Sequence, residues 1–221
     1  MLTQTAKVHA EAWKQMFDDF LRERAERTGT PFQPFDRGAD YDEYVDGKPR
    51  LDGVRSFLVA RGIEPEPELV EALGTRKNEL VLELIHRQGV EPYDGSVRFV
   101  EAARERGLRR AVVSSSTNCH DVLVAAGIAD LFEARIDGVV AERDGLAGKP
   151  APDTFLAGAR AVGTAPDQAA VFEDALAGVA AGRAGEFGWV VGVDRVGQAD
   201  ALKQRGADVV VKDLAELLRG S

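Results

Sequence analysis

Apolar residues recur at three- and four-residue intervals through Val8, Ala12, Trp13, Met16, Phe17, Phe20 and Leu21, which predicts an amphipathic helix over residues 6–27. The stretch TGTPFQPFDRGADYDEYVDGKPR that follows is polar and broken by Gly and Pro, too irregular for a long helix. LDGVRSFLVARG reads as a short helix stopped by Gly62, and EPELVEALGTRKNELVLELIHRQG as two helices broken near Gly74 and ended by Gly89. Nothing in this first part has the period of a strand. It is expected to be a helical unit.

After EPYDG the pattern changes. SVRFVEAARERG is an amphipathic helix with a glycine stop, AVVSSS a short β-branched run, and DVLVAAGIADLF again helical. ARIDGVV, AAVFED, WVVGVD and the start of VVVKDLAELL are further apolar runs, separated by helical patterns around APDTFLAGARAVG, ALAGVAAGRAG and ADALKQRG. Strands of four to six residues alternating with helices predict an α/β fold, a parallel sheet with helices on both faces. Ligands of such folds bind beyond the carboxyl ends of the strands. The polar clusters SSSTN and EDALAG each follow a strand, and GKPAP sits in a loop before a helix.

Composition narrows the chemistry. With 44% hydrophobic and 29% charged residues, the 221-residue chain is long enough for one large domain or a core with an inserted smaller one. A net charge of -9 argues against a nucleic-acid groove but leaves room for a local anion site. Cys119 is the only cysteine, so no intramolecular disulfide or cysteine-based zinc site is expected, and His9, His86 and His120 lack metal-ligand spacing. No apolar run approaches the ~20 residues of a membrane span, and no leader pattern precedes the first helix. The expected setting is the cytoplasm.

Glu173 and Asp174 stand side by side where a strand gives way to a helix of small residues. One carboxylate at such a corner suits the helix dipole, whereas two repel unless a cation lies between them. Hard oxygen donors of this kind suit a partly hydrated Mg²⁺ shared with a phosphate, the alternative being a capping pair. The hydroxyls and amide of SSSTN, with the N–H groups of a helix start, can hold a phosphoryl oxygen or simply cap the helix. Lys149, before a proline-bounded helix start, can neutralise a nucleophile or phosphoryl oxygen, or be a solvated surface charge.

The order of AVVSSSTN, GKPAPDTF and VFEDALAG on an α/β core resembles the haloacid dehalogenase superfamily, its β-phosphoglucomutase-like branch in particular. The likeness spans most of the chain and implies a Rossmann-like core of residues 1–6 and 91–221 with a helical cap of residues 7–90. It implies that Ser114 binds the transferring phosphoryl group and that Lys149 neutralises it and the nucleophile. Glu173 and Asp174 would hold Mg²⁺, and Ser115, Ser116, Thr117 and Asn118 would contact substrate. In the cap, DGKPRLDG resembles the substrate loop, so Gly47, Lys48 and Arg50 are candidate contacts for a non-transferring phosphate, where the planar Arg fork suits bidentate binding. TRKNE resembles a second cap motif with Lys77 facing substrate, and TAKVHAEAW the segment leaving the core, with Thr5 in the hinge and His9 near sugar hydroxyls. The implied partner is a phosphorylated sugar, with no nucleic acid or membrane, and the implied state a monomer.

In that family the nucleophile is an aspartate ending the first strand, with an acid/base aspartate two residues on, in a pattern like DxDGV(I/L)T. Leu2 and Thr3 fall on the end of this pattern and Met1 on its valine, as a GTG start codon read as Met would place it. The strand and both aspartates are therefore expected upstream of Met1. Without that strand its neighbours are expected to carry unpaired ladder groups, each costing ~1–3 kcal/mol when buried, and the sheet to be destabilised or rearranged. Gln4 also departs from the aspartate common in relatives. The expected activity of the complete form is Mg²⁺-dependent transfer between the 1 and 6 positions of a glucose phosphate. The alternatives are a sugar-phosphate phosphatase and a form that binds ligand without turnover.

Overall fold

A computed structural model describes residues 1–45, 48 and 50–218. The chain divides into two compact units, Thr5–Gly89 and Met1–Gln4 with Val90–Ser221.

The first unit is helical. Helix α1 (Thr5–Thr28) is followed by a single π-helical turn (Tyr41–Val45), α2 (Arg50–Ala60) and α3 (Pro67–Gln88). The apolar stripe of α1 is buried at Val8, Ala12, Trp13, Met16, Phe17 and Leu21. Phe17 stacks on Trp13 and Phe35 at centroid distances of 5.3 Å and meets Phe57 of α2 at 4.0 Å. Such pairs add roughly 0.5–1.5 kcal/mol each beyond the area they bury. Phe35 lies in the irregular stretch, and its backbone N–H donates to buried Asp18 Oδ1 at 2.8 Å while Lys14 donates to its carbonyl. One aromatic ring and one carboxylate thus fix a segment whose composition predicted only a loop.

The expected break at Gly74 does not occur. Helix α3 runs through it without interruption, because α2 lies so close that a Cβ on Gly74 would meet Leu51 Cδ2 at 2.5 Å. The missing side chain serves helix packing here, and tertiary contact outweighs the ~1 kcal/mol propensity cost of glycine.

The second unit is α/β. Its elements are α4 (Asp94–Glu105), β1 (Ala111–Val113), α5 (Cys119–Ala125), β2 (Ala134–Ile136), α6 (Gly138–Arg143), α7 (Asp153–Ala161), β3 (Ala170–Glu173), α8 (Leu176–Ala184), β4 (Trp189–Val193), α9 (Ala199–Gln204) and β5 (Val209–Val211). The run ARIDGVV, read as one strand, ends at Ile136: buried Asp137 caps α6 by accepting from Val140 N at 3.0 Å and turns the two valines into helix. A 3₁₀ turn at Leu214–Leu218 replaces the end of the last predicted segment.

All the strand pairs are parallel, in the order β1–β2 in one set and β3–β4–β5 in the other. Among the described residues no ladder joins the two sets. Helix α7 packs on β1 and β2 and contributes Phe155 and Ala159 to the cluster that holds Val171, Val179 and Val190. Val113 packs against the same cluster, so one apolar layer links both sets. Residues 1–4 run beside 91–93, with Tyr93 N donating to Leu2 O and Gln4 N to Glu91 O, both at 2.9 Å. Met1 and Leu2 add their side chains to the clusters around Phe172 and Val112 respectively.

Candidate active site

The carboxyl end of β1 opens into Ser114, Ser115, Ser116, Thr117 and Asn118. Ser114 N donates to Ile136 O at 2.9 Å, continuing the register of β1 on β2 for one residue before the loop turns. Ser114 Oγ accepts from Ser116 N and Ser116 Oγ from Asn118 N, both at 3.1 Å, which winds the hydroxyl cluster into the start of α5. Ser114 also hydrogen-bonds the thiol of Cys119, whose pKa burial pushes up to about 11. Ser115 and Thr117 are exposed, Ser114 and Ser116 half-buried and Asn118 buried.

Two residues that the sequence reading missed shape this loop. Gly138 N donates to Ser116 O at 3.1 Å, and a Cβ on Gly138 would lie 2.9 Å from Ser115 O and 3.0 Å from Thr117 N. Asp137 beside it also accepts from Arg135 Nε at 2.7 Å. The signal was the Asp-Gly pair directly after a strand, which also marks ordinary turns.

At the end of β3, Lys149 Nζ lies 3.4 Å from Glu173 Oε1 and 4.6 Å from the centroid of Phe155. Glu173 is 8% exposed, and burial pushes its pKa up, against the pull of Lys149 and with the push of Asp174. A Cβ on Gly178 would stand 2.2 Å from Glu173 Oε1, so the carboxylate has room only because α8 carries a glycine there. This explains the small residues of EDALAG. Asp174 is more open, and its Oδ2 is 2.7 Å from the Met1 ammonium. Gln198 Nε2 donates to Asp174 O at 3.0 Å, while Asp194 Oδ1 accepts from Gly197 N and Gln198 N at 2.7 Å to hold that loop.

Within the chain itself the cation beside this pair is Lys149, on Glu173. The hard oxygen donors of Glu173 and Asp174 fit a magnesium ion that keeps part of its water shell. Among the described residues no group of three or more His, Cys, Asp or Glu side chains is placed to hold a metal.

The helical unit gathers a different set. Lys77 of α3 is 6% exposed, and its Nζ lies 2.8 Å from His9 Nδ1 of α1, as an amine donating to an unprotonated imidazole. The same nitrogen is 4.9 Å from the centroid of the Trp13 ring. Arg50 begins α2, and its stem lies over Gly74, one helical turn before Lys77. Burial and the Arg50 charge lower the Lys77 pKa to about 7, and burial with the Lys77 charge lowers that of His9 to about 3. Lys48 stands apart: its ammonium donates to Glu43 O at 3.2 Å and Ser56 Oγ at 2.8 Å. Gly47 lies outside the described residues.

The sequence has close relatives. It is 54% identical over 99% of its length, and 88% of the relative's, to β-phosphoglucomutase of Mycobacterium bovis. Its fold is similar to a haloacid dehalogenase family hydrolase of Deinococcus radiodurans solved with bound phosphate and sodium, at a TM-score of 0.70 and 28% identity over 98% of this chain and 88% of that one. It is also similar to β-phosphoglucomutase of Clostridium difficile, at a TM-score of 0.76 and 24% identity over 98% and 88% of the two chains. A family profile for haloacid dehalogenase-like hydrolases matches residues 2–186, and the chain belongs to that family.

Proposed function

We propose that this protein is a Mg²⁺-dependent phosphotransferase that interconverts β-glucose 1-phosphate and glucose 6-phosphate. The observation that carries the reading is the 54% identity, across 99% of the chain, to a β-phosphoglucomutase. The site chemistry supports it. Ser114 would hold the phosphoryl group, and Lys149 would neutralise charge that gathers on its oxygens. Glu173 and Asp174 would hold Mg²⁺, which supplies further neutralisation of phosphoryl charge. Ser115, Ser116, Thr117 and Asn118 would contact the sugar phosphate.

A mutase has an anchoring requirement that a phosphatase lacks, since the second phosphate must be held while the first site turns over. Arg50 and Lys77 supply two cations for that purpose in the helical unit, and His9 a neutral ring for a hydroxyl. The attacking aspartate is the group this reading takes from the motif expected ahead of Met1. Its carboxylate oxygen would form a bond to phosphorus as the bond to the sugar oxygen breaks, and the departing oxygen would take a proton from the neighbouring aspartic acid. No described helix is long and apolar enough to cross a membrane, and a monomer working in the cytoplasm completes the proposal.

The test is formation of glucose 6-phosphate from β-glucose 1-phosphate with Mg²⁺ and catalytic glucose 1,6-bisphosphate. It is run on the 221-residue chain and on the chain extended in frame upstream of Met1. Glucose 6-phosphate is the expected product. Release of inorganic phosphate in its place, or no turnover by either chain, overturns the mutase reading.

A further inference from the structure

Arg195 lies just past the end of β4, and the proposed reaction gives it no role. Its largely buried side chain works in several directions at once. Nη1 donates to Asp213 Oδ2 at 3.0 Å and to Lys212 O at 3.2 Å, while Nη2 donates to Ser96 Oγ at 2.8 Å and to Met1 O at 3.3 Å. The guanidinium carbon stands 3.8 Å from the centroid of the Tyr93 ring. Ser96 is fully buried and itself donates to Met1 O at 3.3 Å. Asp213 is braced in turn: Ala215 N donates to its Oδ1 at 2.8 Å, and a Cβ on Gly95 would collide with its carboxylate, so α4 carries a glycine where Asp213 comes in.

What this arrangement holds is the backbone of residue 1. Met1 O receives two donors, which engages both of its lone pairs and sets direction as well as position. The same guanidinium covers Tyr93, whose backbone N–H donates to Leu2 O. One side chain thus grips both segments that run side by side here, residues 1–4 and 91–93. The Met1 side chain packs on the cluster of Val193, Val211 and Leu214, as does Phe172, the residue before Glu173.

We infer that Arg195 is a positioning residue, which fixes the backbone at Met1 and through it the attacking carboxylate. The second half of this inference rests on the proposed reaction, in which that carboxylate lies a few residues ahead of Met1. Arg195 touches no reacting atom. It acts through the direction in which the chain arrives, because a carboxylate must meet phosphorus in line and a misplacement of about 1 Å can cost roughly 100-fold in rate. The role needs the planar fork of arginine. A lysine offers one point charge and no flat face, so it cannot meet Met1 O and Asp213 together while covering the Tyr93 ring.

Backbone amide exchange on the 221-residue chain reads the first half directly. Arg195→Met should speed exchange at Tyr93 and Gln4, which pair with Leu2 O and Glu91 O, by at least about tenfold. Ser114 N, bonded to Ile136 O in the same unit, should keep its rate, which a general loss of stability would not allow. Ser96→Ala removes one donor from Met1 O and should give the same pattern at smaller amplitude; it decides the matter where Arg195→Met does not fold. In the chain extended upstream of Met1, Arg195→Met should lower kcat roughly 10- to 100-fold while KM for β-glucose 1-phosphate stays within about threefold. Arg195→Lys should not restore the rate. Unchanged exchange at Tyr93 and Gln4, a loss carried by KM in place of kcat, or full restoration by lysine overturns the inference. An extended parent chain without mutase turnover would remove the proposed function, and the exchange rates alone would then decide whether Arg195 positions Met1.

Discussion

The two charged clusters of this protein handle cations in opposite ways. In the α/β unit, Lys149 faces buried Glu173, so that cation has an opposite charge in the protein itself. In the helical unit, Lys77 and Arg50 face each other with an imidazole and an indole for company. The first arrangement is set before any ligand arrives. The second carries the cost of placing two cations together in a buried setting. Preorganised charge suits chemistry at phosphorus, and unbalanced charge suits recognition of an anion that must also be released.

The largest expected effect breaks the balanced cluster. Lys149→Met leaves Glu173 buried without its partner, and breaking a buried pair costs roughly 3–5 kcal/mol. Glu173 already has a folded-state pKa above its ordinary value, and loss of Lys149 raises it further. Above the unfolded pKa the folded protein then binds more protons than the unfolded one, so the deficit grows as pH rises. Urea unfolding at pH 5 and pH 8 should show the larger loss at pH 8.

The unbalanced cluster should respond with the opposite sign. The Lys77 pKa falls from 10.5 to about 7 on folding, so below about pH 7 the full cost of charging it is present, and the cost is relieved as pH rises toward 10.5. Lys77→Met should therefore stabilise the ligand-free protein by about 3 kcal/mol at pH 6, at ~1.4 kcal/mol per pKa unit less the lost amine contacts, and hardly at all at pH 10. Thermal unfolding across that range checks both sign and slope. A variant that destabilises equally at all pH values would erase the contrast between the clusters.

Two glycines sharpen the comparison with smaller effects. Gly178→Ala drives a methyl into the Glu173 carboxylate and should cost about 2 kcal/mol, with loss of Mg²⁺-dependent stabilisation as a second readout. Gly74→Ala should cost about 1 kcal/mol, because the clash with Leu51 outweighs the gain in helix propensity. It should also displace the Arg50 stem, while leaving the Lys149–Glu173 pair intact.

Much of this layout was legible in the chain. The apolar period of α1 set its buried face, and the β-branched runs set the strands, because each pattern matches the geometry it must occupy. Adjacent Glu173 and Asp174 marked the β3 corner, since two neighbouring carboxylates carry an electrostatic cost that calls for cations. What could not be read depended on contacts distant in sequence. Gly74 looked like a helix break because its reason, the Leu51 side chain, lies on another helix. Val139 and Val140 looked like strand because the cap from Asp137 is one hydrogen bond, not a pattern. Lys48 and Arg50 are two residues apart in one motif, yet Lys48 binds Ser56 and Glu43 O while Arg50 lies over Gly74. Sequence proximity fixed their chemistry but not their direction.

The indole of Trp13 against Lys77 has an optical consequence. The protein's other tryptophan, Trp189, is 59% exposed while Trp13 is 4% exposed, so a water-soluble quencher such as iodide silences Trp189 and leaves Trp13 emitting. A positive charge appearing 4.9 Å from that ring shifts its excited state. The residual emission thus becomes a built-in gauge of whether the neighbouring amine is charged, readable on a stopped-flow timescale without a label.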